Sequence, residues 1–348
     1  MSTAQELRVR IGTELTAFAD REIAVLEQID PQLAPIGAQL RAAVADGKRI
    51  RAAFCYWGWR SAGQGDSDAA IRAAAAMELV HAAALVHDDL IDDSVLRRGS
   101  ATPHVVLRGA VPAAAPDPAA AARSLAMLVG DLLMVWAGQL FAGCGLPSAY
   151  LARARPVWAT LARELIAGEC LEILRTGGEP SAASSLQIVR YKTAKYTVEH
   201  PLHIGGRLGG ASERLLRTFS AYGVPLGEAF QLRDDLLAVY GDPAATGKSN
   251  LDDLAGNRPT ALVAHAFRVA GADDRATLRA VLGRADLDGA DLGTVRAILD
   301  RTGARERTEA MIAERASAAR AALAAAALPP AGADALHELT RTVTVRAF

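Results

Sequence analysis

The chemistry in this chain is concentrated in two acidic clusters. Asp88, Asp89 and Asp92 stand at i, i+1 and i+4 and follow an apolar run, Met77 to Val86. On a helix, residues four apart lie one turn above each other, so these carboxylates share a side. Like charges held that close need a counter-charge. Mg²⁺ suits the need, because it accepts a few carboxylates, keeps waters and shares phosphate oxygens with a substrate. The second cluster lies 146 residues on, in Phe230–Asp235, where Gln231, Asp234 and Asp235 fall at i, i+3 and i+4. Either cluster alone reads as a solvated acidic helix face. Two of them, each in an apolar helix, are expected to face one another across a bundle cavity, as metal ligands on facing helices do.

Cations accompany the carboxylates. Lys48, Arg49 and Arg51 open a helix, and Arg97-Arg98-Gly99 follows the first cluster. Lys192, Thr193 and Lys195 lie mid-chain, and Lys248 follows Gly247 after the second cluster. Arginine binds phosphate through a two-pronged fork and lysine as a point charge. The pattern therefore suits a diphosphate substrate. Gly247-Lys248-Ser249 is not a nucleotide-binding P-loop, since no strand precedes it. A His87-Asp88 metal pair of a phosphohydrolase would leave the further aspartates without a role.

These residues need helices to carry them. The 348-residue chain is 51% hydrophobic, rich in alanine, only 5% aromatic and short of alternating strand patterns. Helices are predicted over 4–28, 36–45, 49–62, 67–91, 121–142, 148–175, 184–206, 211–240, 258–270, 275–282, 291–301 and 305–327. The expected architecture is all-α, a single-domain helical bundle around a central cavity spanning 1–348, with flexible loops near 110–120 and 241–259. A net charge of −1 offers no basic excess for nucleic acid. Leu125 to Ala142 is apolar nearly all round but carries Asp131 and Gln139, so it reads as a buried central helix and no membrane span is expected. Cys55, Cys144 and Cys170 lack metal or disulfide spacing, which fits a cytoplasmic location.

Taken in order, Gly47–Arg51, His81, Asp88–Asp92, Arg97–Gly99, Gly130-Asp131, Lys192-Thr193, Phe230–Asp235, Gly247-Lys248 and Asp252–Leu254 resemble the trans-isoprenyl diphosphate synthase family, and in particular its bacterial geranylgeranyl diphosphate synthases. The resemblance implies a Mg²⁺-dependent, cytoplasmic, homodimeric prenyltransferase. It would join isopentenyl diphosphate to an allylic diphosphate such as dimethylallyl, geranyl or farnesyl diphosphate. It also implies roles. Asp88, Asp89, Asp92 and Asp234 would hold Mg²⁺ on the allylic diphosphate, with Asp235 supporting them. Arg97, Lys192 and Lys248 would contact that diphosphate. Lys48, Arg51, His81 and Arg98 would bind isopentenyl diphosphate, and Thr193 and Gln231 would lie near the allylic cation.

The chain departs from the family pattern at Ala52, at Glu169 in the Gly168-Glu169 pair, at Ala238 and at Asn257. The resemblance also implies that the residues just upstream of Asp88 line the tail cavity, where bulky aromatics in the family stop elongation early. Ala83 and Ala84 would then leave room for a long hydrocarbon tail, with Val80 and Met77 as a floor, and the expected product has about twenty carbons, geranylgeranyl diphosphate. A class I terpene cyclase is the alternative enzyme, but it needs no isopentenyl diphosphate site. A non-catalytic subunit of a heteromeric synthase is the other alternative, and the intact aspartates and arginines argue against it.

Overall fold

The computed structural model describes residues 3–243 and 250–344. The chain is all-α, and the only strands among the described residues are two of two residues each. In chain order the first elements are α1 (Thr3–Ile29), α2 (Ala34–Ala45), α3 (Ile50–Ser61) and α4 (Asp68–Ile91). A hairpin of β1 (Leu96–Arg97) and β2 (Ser100–Ala101) follows, then α5 (Pro103–Val106), α6 (Pro118–Ala142) and α7 (Ser148–Arg175). Next come α8 (Ala182–Ile188), a π-helix (Val189–Glu199), α9 (His200–Gly209) and α10 (Glu213–Tyr240). Short and medium helices complete the chain to Thr344. The residues pack as two compact units, one of 1–154 with 204–210 and one of 155–203 with 211–348.

In the first unit α4 is the central helix, packed on α1, α3 and α6. Its Ala70, Ala73, Ala74, Ala75, Ala76, Ala82 and Ala83 are buried. Small side chains on several faces let neighbouring helices approach from several directions, and alanine is also the best helix former. Bulk comes from the neighbours: Ile11, Leu15 and Phe18 of α1, Phe54 of α3, and Leu133 and Trp136 of α6. Phe18 meets Trp136 edge to face at 5.9 Å. Ser67 caps α4 by accepting from the Ala70 N–H, and Asp117 caps α6 by accepting from the Ala120 N–H. Pro118 therefore sits in the first turn of α6, where its missing N–H is harmless, and the irregular stretch is 111–117 rather than 110–120.

Two helices, α4 and α6, are long and apolar enough to cross a membrane. The mostly buried one is α4. The expectation that 125–142 is a buried central helix needs correction, because Met127, Leu128 and Val135 of α6 are exposed.

In the second unit α10 packs on the π-helix and on the helix Ala304–Ala324. Leu232, Leu236, Leu262, Phe267, Leu278, Ile298, Leu299 and Met311 form one core cluster there. Tyr222 donates to Leu336 O at 2.9 Å and pins the last helix, Pro330–Thr344, to α10. The predicted continuous α-helix over 184–206 is also corrected: its middle is wound as a π-helix, with i→i+5 hydrogen bonding. Pro201 disfavours regular α winding here, since its ring crowds the carbonyl four residues back in an α-helix.

Candidate active site

The first unit brings together Asp88, Asp89 and Arg97. Asp88 and Asp89 occupy the last turn of α4, and Asp92 ends it, its N–H donating to Asp88 O. The chain then reverses at Arg98-Gly99, both at positive φ, between paired strands with Arg97 opposite Ser100. Two such residues in a two-residue loop mark a type I′ hairpin turn, whose twist matches the strands. The tight turn returns Arg97 to the helix end. Its Nε donates to both Asp89 oxygens at 2.7 and 2.8 Å, and its Nη2 to Asp88 Oδ2 at 2.8 Å. Burial works against the Arg97 charge, but the two carboxylates outweigh it and hold its pKa above the ordinary value. Asp93 pairs with Arg123 of α6, which also donates to Leu90 O at 2.8 Å. That brace was not anticipated from the sequence.

A cationic group lies in the same unit. His81 has its pKa pushed well below the usual value by burial and by Arg51, Arg98, Arg97 and Arg49. Four arginines around one neutral imidazole, with the buried Glu78 beside Arg49, make a strongly cationic surround that suits phosphate recognition. Arg49 itself is buried and donates to Val44 O at 2.6 Å and Ala45 O at 3.1 Å, closing the end of α2. It is a structural cap, whereas Arg51 is buried in the first turn of α3 and Lys48 is exposed just ahead of it. His87 turns to α6 instead, with Nε2 3.3 Å from Asp131 Oδ1. A Cβ on Gly130 would lie 2.3 Å from that nitrogen, which explains the glycine. Met77, Val80 and Ala83 on α4 are buried, and Ala83 has no accessible surface. Ala84 keeps some.

The second unit builds a different set of contacts. Gly223, Gly227 and Gln231 lie four apart on one face of α10. A Cβ on Gly227 would come 2.4 Å from Ala194 Cα, and one on Gly223 2.9 Å from Glu199 Cα. The glycines thus allow backbone-close crossing of the π-helix, and Gln231, a turn further on, meets Thr193. Thr193 Oγ1 donates to Gln231 Oε1 at 2.8 Å, and Gln231 Nε2 donates to Asp235 Oδ1 at 2.9 Å. Asp235 is buried and Asp234 beside it is half-buried. Asn250 donates to Ala238 O at 2.9 Å and Gly241 O at 3.1 Å, closing α10 where the family pattern has a further carboxylate.

Lys192 is held by two carboxylates of α7 that sequence reasoning did not assign: Glu169 at 3.0 Å, and Glu172. Their i, i+3 spacing after Gly168 was the available signal. A Cβ on Gly168 would lie 2.2 Å from Lys192 N, so that glycine lets the π-helix press against α7. Lys195 pairs with Glu164 at 2.9 Å. Lys248 lies outside the described residues.

The donors expected to take Mg²⁺ (Asp88, Asp89, Asp92 and Asp234) are all carboxylate oxygens. That is the hard-ligand chemistry this ion selects, so the residues fit it.

A family model described as polyprenyl synthetase matches residues 35–299. The geranylfarnesyl diphosphate synthase of Aeropyrum pernix is 32% identical over 240 residues, covering 68% of this chain and 71% of that protein. The octaprenyl diphosphate synthase of Escherichia coli (strain K12) is 30% identical over 258 residues, covering 73% of each. Among solved structures, a geranylgeranyl pyrophosphate synthase from Corynebacterium glutamicum, complexed with isoprenyl diphosphate and magnesium, superposes with a TM-score of 0.94. It is 32% identical, with all of both chains covered.

Proposed function

The chain belongs to the polyprenyl synthetase family, and from that premise we propose that it condenses isopentenyl diphosphate with an allylic diphosphate to give geranylgeranyl diphosphate. The observation that carries the reading is the pairing of a carboxylate-rich helix end, closed by Arg97, with further arginines, Arg51 and Arg98, beside His81. A cyclase would need the first and not the second. A non-catalytic subunit would need neither.

The residues then divide the work. Asp88, Asp89, Asp92 and Asp234 would hold Mg²⁺, which supplies Lewis-acid neutralisation of the departing diphosphate. Arg97 and Lys192 would supply positive charge to that diphosphate. Lys248 joins them in this reading. Lys48, Arg51, His81 and Arg98 hold the diphosphate of isopentenyl diphosphate. The allylic C–O bond breaks, the double bond of isopentenyl diphosphate attacks the resulting allylic cation, and the released diphosphate takes the proton whose loss forms the new double bond. Thr193 and Gln231 present oxygen dipoles to the positive charge that develops. Asp235 fixes Gln231 by accepting from its amide, which leaves the Gln231 carbonyl oxygen oriented.

The tail length is assigned to the small residues before Asp88. Ala84 is the one with accessible surface, so it is the position whose volume should matter first. A homodimer fits the exposed apolar side chains Met127, Leu128 and Val135 of α6, which a second copy would cover. A cytoplasmic location fits three free cysteines, two of them buried.

The test is incubation of the purified chain with Mg²⁺, isopentenyl diphosphate and each of dimethylallyl, geranyl and farnesyl diphosphate, with products sized by mass spectrometry. A twenty-carbon diphosphate is expected. A longer product keeps the enzyme class and removes the chain-length assignment. A hydrocarbon moves the chain to the cyclases, and no product at all moves it to the partner subunits. Light scattering of the same preparation reads the dimer.

A further inference from the structure

One cluster of partly buried charge in the second unit has no part in this mechanism. Glu164 of α7 meets both Lys195 and His200 through the same oxygen: Lys195 Nζ lies 2.9 Å and His200 Nε2 2.8 Å from Oε2. The two partners are five residues apart. In an α-helix of 3.6 residues per turn, residues five apart point to different sides. In the wider winding they stack, and the His200 backbone N–H indeed donates to Lys195 O. A single carboxylate oxygen therefore spans one wide turn, a contact that α winding would break.

We propose that Glu164 is a positioning residue: it locks the π winding of Val189–Glu199 and thereby sets where Lys192 and Thr193 stand. The lock itself rests on geometry alone, while its kinetic consequence rests on the prenyltransferase reading above. Pro201 disfavours α winding but does not choose the extent of the wide segment. A stripe of α7 does. Glu164, Gly168 and Glu172 lie four apart. Glu164 takes Lys195 and His200, Gly168 admits the Lys192 backbone, and Glu172 takes the Lys192 ammonium.

Electrostatics agree with this arrangement. Burial would raise the Glu164 pKa, but Lys195 and His200 outweigh it and hold the carboxylate ionised. Lys195 is further placed by Glu199 at 3.5 Å and by the Tyr191 ring, whose centroid is 5.3 Å from Nζ.

The test compares the full-length wild type with Glu164→Ala and Glu164→Gln by amide hydrogen exchange and by steady-state kinetics. Glu164→Ala is expected to speed exchange across 190–199 roughly tenfold or more, as a local opening unit loosens. It should lower kcat roughly tenfold to a hundredfold, because a misplaced group loses near-attack geometry. KM for isopentenyl diphosphate should stay unchanged. Glu164→Gln keeps an acceptor oxygen that both donors can share and should recover most of both effects. Glu164→Asp, one methylene too short to span the turn, carries the same test if the alanine variant does not fold.

Unchanged exchange in Glu164→Ala overturns the lock. Faster exchange with unchanged kcat overturns the positioning role. If the wild type itself elongates nothing, the enzyme reading fails, and the exchange comparison still decides the lock.

Discussion

The two charged regions, one in each unit, are built by opposite means. In the first, the counter-charge comes from eight and nine residues away, where a two-residue turn folds Arg97 back onto Asp89 and Asp88. In the second, the partners are 20 to 38 residues apart: Lys192 with Glu169 and Glu172, and Thr193 with Gln231. The first depends on a hairpin and a helix end. The second depends on helices crossing at Gly168, Gly223 and Gly227, where a single added methyl would meet backbone or Cα atoms. A local cluster can be disabled chemically while the fold survives. A crossing-built cluster fails through packing.

The sharpest way to break this contrast is Asp92→Asn. It removes one exposed carboxylate from the first cluster, so elongation should fall by on the order of a thousandfold. The melting temperature should change little, as checked by calorimetry alongside the product assay. An equal collapse of stability would show that the first region is built like the second.

Gly227→Ala tests the other side. Its Cβ would sit 2.4 Å from Ala194 Cα, and overpacking of that kind costs about 1–3 kcal/mol. Urea denaturation should show that loss together with reduced kcat. Gly138 of α6 has nothing within 4 Å of its virtual Cβ. Gly138→Ala is therefore the control, with a gain of about 0.5–1 kcal/mol.

A third measurement concerns pH. Burial and four arginines hold the His81 pKa well below its ordinary value. The folded imidazole stays neutral, while the unfolded one takes a proton below about pH 6.5. The contribution is fully present above that pH and is lost as pH falls, with a slope of about 1.4 kcal/mol per pH unit for one proton. His104, His200 and His265 are shifted in the same direction, so the total slope exceeds one proton. His81→Gln should remove one proton's worth of it in urea titrations between pH 5 and 7. An identical slope in the variant would mean His81 titrates freely.

The smallest effect on stability separates two neighbours within the first region. Ala84→Phe should leave the fold within about 0.5 kcal/mol and shorten the product. Ala83→Phe, at a position with no accessible surface, should instead destabilise by overpacking. Shortening by Ala83→Phe alone would exchange their roles.

Much of this molecule was readable before any coordinate. Helix boundaries such as that of α4 fall close to the predicted ones because caps like Ser67 act within a few residues, whereas α6 starts at Pro118, three residues ahead of the predicted 121. The aspartate clusters were readable because their spacing matches one helical turn, while Arg97 was reached through the family resemblance and its hairpin only through the structure. What could not be read depended on partners distant in sequence. Glu164, Glu169 and Glu172 look like ordinary surface carboxylates of α7 until the π-helix is packed against them. The wide winding itself was invisible, since 184–206 carries a continuous helical pattern and the choice between i→i+4 and i→i+5 bonding rests on those contacts. The apolar run of α6 showed that something must cover it, but not that part of its face lies open in the single chain. Residue types and short spacings thus determined which chemistry the chain carries and which helices bear it. Tertiary packing decided which charges are paired and how Lys192 and Thr193 are presented, because those depend on close approach between segments that no local preference brings together.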